Sequence, residues 1–206
     1  MTVLVKICGI TSVQQAQMVQ SAGADALGLV VYEKSPRYVD VQKAAEIRAA
    51  ISAPALAVAL LVNPSEALVS QVIDQVKPDY LQFHGDETPE FCHQFNYPFI
   101  RAIRMRQDLD VNAEVATYKA QGGFLFDAWS EDLYGGTGHS FDWSRLPDSR
   151  DYRLILAGGL TPHNVGEAVG LIRPYMVDVS GGVESAPGVK DQVEVEAFIA
   201  QAKNIR

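Results

Sequence analysis

The feature that most constrains the fold of this sequence is an alternation of short apolar runs with longer, polar-capped segments, repeated eight times. Runs rich in β-branched and aromatic residues predict strands, and the segments between them predict helices. Repeats of about 20 to 30 residues leave room for a helix to return the chain to a parallel neighbour. The sequence therefore predicts a single (β/α)8 TIM barrel over residues 1–206. The predicted strands are Val3–Cys8, Asp25–Val31, Ala55–Val62, Tyr80–His84, Phe99–Ile103, Gly123–Asp127, Arg153–Ala157 and Tyr175–Ser180.

Helix-start signals follow most of these runs. Thr11-Ser12, Asn63-Pro64-Ser65 and Thr88-Pro89-Glu90 each place a capping hydroxyl, two of them with a proline, where a helix would begin. The predicted helices run from Thr11 or Ser12 to Ala22, from Val41 to Ala50, from Ser65 to about Val76, from Thr88, from Leu109 to Lys119, from Phe141 to Leu146 as a short helix, after Thr161-Pro162, and from Asp191 to Lys203.

An open, doubly wound parallel sheet is the alternative architecture for such a chain. Such a sheet does not require eight strand-and-helix repeats, and it normally carries a glycine fingerprint directly after its first strand. Here the first turn reads Cys8-Gly9-Ile10-Thr11, and the glycine pairs follow the sixth, seventh and eighth predicted strands. We therefore favour the barrel and keep the open sheet as the second candidate.

Composition excludes several functional classes. The chain has 206 residues, 48% of them hydrophobic, and a formal charge of -8, which argues against a nucleic-acid partner. The longest apolar run, Ala55–Val62, is too short to span a membrane, and the first residues lack a signal-peptide layout. Two cysteines form neither a disulfide framework nor a zinc motif. We expect a cytoplasmic protein with reduced thiols, no metal and no membrane association, either a monomer or a homodimer.

Two strand-end side chains are candidates for catalysis. Alternation along a strand puts Leu4, Lys6 and Cys8 on the face opposite Val5 and Ile7. In the sixth predicted strand the same rule turns Asp127 toward the barrel mouth. A single Cys is more often a small buried hydrophobe, and a single Asp more often caps a loop. Together at the carboxyl ends of barrel strands, they are better explained as a catalytic pair.

The late glycine pairs are candidates for phosphate binding. Gly158-Gly159 and Gly181-Gly182 each follow a late strand, where barrels hold phosphate on backbone N–H groups. Ordinary turns are the alternative. Gly136, in the segment 135–138, is either a further phosphate contact, part of a lid hinge or part of a plain flexible loop, and the sequence does not separate these readings.

Two more polar residues are weaker candidates. Arg37, in the loop after the second predicted strand, could clamp a carboxylate with two hydrogen bonds, although a loop arginine is more often merely solvated. His84 shares its strand face with Gln82, and a buried, hydrogen-bonded histidine is the usual case. The remaining histidines are scattered and show no metal-ligand spacing.

Several stretches together resemble the phosphoribosylanthranilate isomerases of tryptophan biosynthesis. The resemblance covers nearly the whole chain, and the motifs follow one another in the order of that family. They are Lys6-Ile7-Cys8-Gly9-Ile10-Thr11, Gly23-Ala24-Asp25-Ala26-Leu27-Gly28, Lys34-Ser35-Pro36-Arg37-Tyr38, Gln82-Phe83-His84-Gly85, Phe126-Asp127-Ala128, Gly135-Gly136-Thr137-Gly138, Phe141-Asp142-Trp143, Leu156-Ala157-Gly158-Gly159-Leu160, Val177-Asp178-Val179-Ser180, Gly182-Val183-Glu184 and Pro187-Gly188.

This resemblance implies a single barrel that performs an Amadori rearrangement of N-(5-phosphoribosyl)anthranilate without a cofactor. It implies Asp127 as the general acid and Cys8 as the general base, and the base would need a lowered pKa. It places the anthranilate carboxylate on Arg37, and we expect further substrate contacts from His84 and Asp178. The implied phosphate site consists of Gly136, Gly158, Gly159, Gly181 and Gly182.

The sequence departs from the family pattern at two places. His139 stands where the family commonly has a lysine, which puts a cationic role of that position in doubt. Gly181-Gly182 replaces a frequent Ser-Gly pair, so one hydroxyl contact to phosphate would be lost while the N–H donors remain.

Barrel closure gives one further prediction. It sets the first and eighth strands side by side, and alternation turns both Lys6 and Asp178 inward. We expect a buried ion pair between them beneath Cys8. The rival functions are another phosphosugar isomerase, whose relatives use carboxylates or a Lys and Glu pair in place of Cys8, and a barrel that binds a phosphometabolite without turning it over.

Overall fold

The computed structural model describes residues 2–107, 109–128, 142–147 and 151–204. Eight parallel strands hydrogen-bond to one another in chain order and close into a barrel. The predicted (β/α)8 fold is confirmed, and the open sheet is wrong. The strands are β1 Leu4–Cys8, β2 Ala26–Val30, β3 Leu56–Leu61, β4 Tyr80–Phe83, β5 Phe99–Arg104, β6 Gly123–Asp127, β7 Leu154–Leu156 and β8 Met176–Val179.

Seven α-helices cover the barrel in the described parts of the chain. Ser12, Ser65 and Thr88 accept hydrogen bonds from the first turns of their helices, as the sequence predicts for caps. Between β6 and β7 the described residues hold a 3₁₀ turn at Trp143–Arg145, within the predicted short helix, whose first residue Phe141 lies outside the described residues. The helices are α1 Val13–Ser21, α2 Val41–Ala49, α3 Glu66–Gln75, α4 Pro89–His93, α5 Val111–Tyr118, α6 Val165–Ile172 and α7 Gln192–Lys203.

None of the described helices has both the length and the apolar character needed to cross a bilayer. The apolar strand β3, predicted from the run Ala55–Val62, is instead a buried barrel strand. Parallel strands covered on both faces are expected to be apolar throughout. The run therefore reflects burial inside the barrel.

Alternation along the strands separates two apolar layers. Val5 and Ile7 of β1 and Phe124 and Phe126 of β6 belong to the layer between the strands and the helices. Leu125 of β6 faces the barrel interior, as predicted. The interior layer consists of Ala26, Val58, Ile100, Ala102, Leu125, Ile155, Ala157 and Met176, with Leu4, Leu56 and Tyr80 packed against it.

A hairpin absent from the predicted elements follows β8. Its two short strands, β9 Glu184–Ala186 and β10 Val189–Lys190, pair antiparallel around Pro187-Gly188. The Thr11 hydroxyl donates to the Gly188 carbonyl at 2.8 Å, which ties the hairpin to the segment that follows β1. The sequence predicts only a connection to α7 over this stretch, because each of these strands is too short to give an alternating pattern.

Candidate active site

A cavity of about 250 Å³ opens at the carboxyl ends of the barrel strands. Cys8 from the end of β1 and Asp127 from the end of β6 both line it, as do Arg37, His84 and Asp178. The described site residues that the sequence singles out therefore share one cavity. Gly136 lies outside the described residues, as do His139 and all of the predicted loop 128–140 except Ala128.

The Cys8 thiol, at the end of β1, packs against Gly28 of the neighbouring strand β2. Cys8 is only 4% exposed, and a Cβ on Gly28 would lie 2.7 Å from Cys8 Sγ. Burial raises the pKa of Cys8, and the cations Lys6 and Lys190 only partly offset this. The expected lowered pKa is therefore wrong for the free protein, because the cost of desolvating a thiolate exceeds the attraction of the two ammonium groups.

The predicted ion pair beneath Cys8 is confirmed. Lys6 and Asp178 are direct partners in the β1–β8 register, and Lys6 Nζ donates to Asp178 Oδ1 at 2.9 Å. The Lys6 side chain is fully buried. Burial lowers the pKa of Lys6, but Asp178 and Cys8 outweigh that effect, so the pKa lies above its ordinary value. Lys6 thus remains an ammonium directly below the thiol.

A second group of charges flanks Cys8 from the loops. Arg37 donates from Nε and from NH2 to the two oxygens of Glu184, at 2.8 and 2.7 Å. Lys190 donates to the same carboxylate at 2.6 Å. Burial raises the pKa of Glu184, but the hydrogen bonds from both cations outweigh it, and the pKa lies below its ordinary value. Glu184 is therefore a carboxylate shared by two cations.

This arrangement changes what Arg37 offers to a ligand. The hydrogen bond to Glu184 raises the already high pKa of Arg37, and one edge of its guanidinium is occupied by that carboxylate. A guanidinium has five N–H donors in a fixed fork. Within the described ranges Glu184 alone accepts from this guanidinium, so the NH1 group and the second N–H of NH2 are available to a ligand carboxylate in the cavity that Arg37 lines.

Asp127 lies beside the Ala128 N–H and the His84 ring, and its register partner on β5 is Arg104. Its Oδ1 accepts from the Ala128 N–H at 2.8 Å, and its Oδ2 lies 3.3 Å from His84 Nε2. On the other side of the ring, Gln82 Nε2 lies 2.9 Å from His84 Nδ1. With the Gln82 amide in this orientation it donates to Nδ1, which puts the proton of the neutral ring on Nε2.

Two buried polar atoms on this wall have no partner in the described part of the chain. They are His84 Nε2, which lies 3.3 Å from Asp127 Oδ2 without forming a hydrogen bond, and Gln82 Oε1. Buried polar atoms are satisfied in most native proteins. His84 lines the cavity, so its Nε2 is placed to meet an oxygen of a bound ligand.

The late glycine turns edge the same cavity. Gly158 and Gly159 both have positive φ angles, of 82° and 65°, which favour glycine. A Cβ on Gly182 would lie 2.0 Å from the Leu160 carbonyl oxygen, so the two turns can come this close only because Gly182 has no Cβ atom. Among the described residues, no acceptor takes the amide N–H of Gly158 or Gly159. These donors are available for an anion.

Sequence reasoning missed the roles of Glu184 and Lys190. Both belong to the hairpin, where a Pro-Gly turn separates an acidic from a basic residue by a few positions. Opposite charges on paired strands of a tight hairpin commonly contact each other, and this signal could have predicted the pair. No group of three or more His, Cys, Asp or Glu side chains in the described ranges could hold a metal ion.

The fold and the cavity first define a class: a (β/α)8 barrel in which a thiol, a carboxyl group and glycine turns face one cavity at the carboxyl ends of the strands. The family model of N-(5'phosphoribosyl)anthranilate (PRA) isomerase matches residues 5–201. An N-(5'-phosphoribosyl)anthranilate isomerase of Stutzerimonas stutzeri (strain A1501) is 47% identical over 200 residues, which are 97% of each chain. The chain belongs to the N-(5'-phosphoribosyl)anthranilate isomerase family.

Solved structures of this family have the same fold. The phosphoribosyl anthranilate isomerase from Thermotoga maritima has a TM-score of 0.90 at 34% identity, over 99% of this chain and 100% of that chain. A phosphoribosyl anthranilate isomerase in complex with reduced 1-(o-carboxyphenylamino)-1-deoxyribulose 5-phosphate has a TM-score of 0.82 at 32% identity, again over 99% and 100%. The family resemblance stated from the motifs is thereby confirmed.

Proposed function

We propose that this protein is an N-(5'-phosphoribosyl)anthranilate isomerase, an aldose–ketose isomerase of tryptophan biosynthesis that uses general acid and base catalysis without a cofactor. The observation that carries the proposal is the joint position of Cys8 and Asp127 on a cavity edged by glycine turns, in a chain of that family. Cytoplasmic location and a monomeric or homodimeric state stay predictions.

The cavity suggests how the substrate would be held. The unengaged N–H groups of Gly158 and Gly159, together with the Gly181–Gly182 turn, would take the 5-phosphate. The free edge of the Arg37 guanidinium would take the anthranilate carboxylate. His84 Nε2 and the Asp178 carboxylate would contact ribose oxygens. Gly136 remains a predicted phosphate contact from the sequence alone.

The first chemical step requires an acid at the ribose ring oxygen. A protonated Asp127 would donate its proton to that oxygen, the C1–O bond would break, and the nitrogen lone pair would form an iminium. The Ala128 N–H donates to Asp127 Oδ1 and so orients the carboxyl group toward the cavity that Asp127 lines.

The second step requires a base at C2. The Cys8 thiolate would remove the C2 proton, and the electrons of that C–H bond would neutralise the iminium to give an enolamine. The enolamine then tautomerises to the 1-deoxyribulose 5-phosphate derivative. An iminium acidifies the neighbouring C–H bond, which lets a thiolate act as the base. Lys6 lies two residues before Cys8 on the same face of β1, and its ammonium group favours the thiolate form of Cys8.

The test is turnover of freshly prepared phosphoribosylanthranilate, followed by the loss of its fluorescence. We expect Cys8→Ser and Asp127→Asn each to lower kcat by about 10²- to 10⁴-fold, since each removes one proton-transfer group. Cys92→Ala is the matched control, because Cys92 is a buried residue of α4 that does not line the cavity, and this variant should keep near-native kcat.

Two results would contradict the proposal. Near-native turnover by Cys8→Ser or Asp127→Asn would refute the corresponding role. Tight binding of the substrate with no fluorescence decay in the unaltered protein would favour a phosphometabolite-binding barrel instead.

A further inference from the structure

The hairpin β9–β10 connects to the strand end of Cys8 by a continuous set of hydrogen bonds. Lys190 Nζ donates to the Ser180 carbonyl at 3.1 Å and to the Ser180 hydroxyl oxygen at 3.4 Å. The Ser180 hydroxyl in turn donates to the Cys8 carbonyl at 3.0 Å. The Lys190 side chain is fully buried. An ammonium is therefore held over the end of β1 by a hairpin that has no part in the barrel sheet.

The charges around Cys8 do not balance while the thiol is neutral. Three cations and two carboxylates act on the thiol or on each other there, and the side chain of each is 13% exposed or less. One net positive charge is therefore left over, and ionisation of the thiol would neutralise it. The groups are Lys6 on β1, Arg37 in the loop after β2, Asp178 on β8, Glu184 on β9 and Lys190 on β10, with His84 and Asp127 on the opposite wall and the exposed Lys34 at the rim.

Lys6 and Lys190 contribute differently to this excess of positive charge. Lys6 has Asp178 as its direct partner, at 2.9 Å. Lys190 shares Glu184 with Arg37, so one carboxylate serves two cations. Burial lowers the pKa of Lys190, and Glu184 offsets this only in part, while a negative Cys8 favours the ammonium. The less compensated cation near the thiol is Lys190.

We propose that Lys190 is a positioning residue whose ammonium group supplies the counter-charge of the ionised Cys8 thiol. Glu184 controls how strongly that charge acts on Cys8, because its carboxylate is shared between Lys190 and Arg37. The inference rests on the proposed role of Cys8 as the base and adds the group that makes its ionised form attainable in a buried site. The hairpin thereby controls base strength on a neighbouring strand.

Substitutions of Lys190 and of Glu184 should shift the ionisation of Cys8 in opposite directions. Lys190→Met removes a cation near Cys8 and makes ionisation of the thiol harder. Glu184→Gln removes the carboxylate that compensates Lys190 and makes ionisation easier. Damage to packing would not produce opposite shifts, so the pair of variants separates electrostatics from structure.

The experiment measures the rate at which iodoacetamide alkylates Cys8 as a function of pH, by intact mass, in the full-length Cys92→Ala protein. Since only thiolates react, the midpoint of the profile reports ionisation of Cys8 and needs no turnover. We expect Lys190→Met to move the midpoint up by about one pH unit and to slow alkylation at pH 7 about tenfold. Lys190→Arg should restore most of the rate, and Glu184→Gln should move the midpoint down.

Lys43→Met serves as the control, because Lys43 is an exposed lysine paired with Glu46 on α2 and should leave the midpoint unchanged. An unchanged midpoint in both Lys190→Met and Glu184→Gln, or an upward shift in both, would overturn the proposal. If Lys190→Met does not fold, Glu184→Gln alone decides by the direction of its shift. Loss of the role of Cys8 in turnover would be a separate result, seen in Cys8→Ser and not in these profiles.

Discussion

The two walls of the cavity hold their reactive groups in different ways. Cys8 is surrounded by buried charges, with Lys6 and Asp178 below it and the Arg37, Glu184 and Lys190 group beside it. Asp127 has the polar groups His84 and Gln82 on its side, with apolar Leu125 beneath it in the barrel interior. The wall that holds Cys8 is called the ionic wall below, and the wall that holds Asp127 is called the polar wall.

The ionic wall matches what a base needs. A thiol in a buried site ionises only when cations offset the loss of water, because burial raises its pKa. The Asp127 carboxyl group instead accepts a main-chain N–H and lies beside a histidine ring, so the two reactive groups are held differently although both line the same cavity.

The largest expected effect tests the ionic wall. Lys6→Met leaves Asp178 as an unpaired buried carboxylate and should lower the free energy of unfolding by about 3–5 kcal/mol, measured by urea denaturation. Lys43→Met removes an exposed lysine from a surface pair and should cost no more than about 1 kcal/mol. Equal losses in the two variants would mean that the Lys6–Asp178 pair is effectively solvated and that the walls do not differ in this respect.

A smaller effect tests the polar wall. Gln82→Leu leaves His84 Nδ1 buried without its donor, and we expect a loss of about 1–3 kcal/mol in the free energy of unfolding. Gln75→Leu, at the exposed end of α3, should change stability by about 0.5 kcal/mol or less. A loss from Gln82→Leu as large as that from Lys6→Met would contradict the distinction between the ionic wall and the polar wall.

The smallest effect concerns the space around the thiol. Gly28→Ala places a Cβ 2.7 Å from Cys8 Sγ, so the thiol must shift, and we expect kcat to fall about tenfold. Gly170→Ala is the matched control, because its Cβ meets nothing within 4 Å in α6 and should stabilise the helix by about 0.5–1 kcal/mol. Unchanged kcat in Gly28→Ala would show that the position of the sulfur is not limiting.

Much of the fold was readable from local pattern. The strands from β1 to β8 were predicted to within a few residues at their ends, because buried parallel strands leave long apolar runs. Ser12, Ser65 and Thr88 were recognisable as caps from residue type and position. The hairpin at Glu184–Lys190 was missed, since its two strands are too short to show a period and depend on contacts with Thr11 and Ser180.

The candidate site was predictable in its membership but not in its electrostatics. Alternation placed Cys8, Lys6 and Asp178 correctly, and barrel closure paired the last two. The direction of the Cys8 pKa shift was not predictable, because it depends on how much water is excluded and on the distances of several charges. The engagement of Arg37 by Glu184 was also hidden, since 147 residues separate them along the chain.

By itself the sequence determined the order of strands and helices, the faces on which side chains lie, and the family, because these follow from local periodicity and motif order. Only the tertiary structure decided which charges face Cys8, which edge of Arg37 Glu184 occupies, and which polar atoms beside Asp127 find no partner among the described residues. Burial and electrostatic interaction depend on distances across the closed barrel. Those distances are fixed only when strands far apart in the chain pack together.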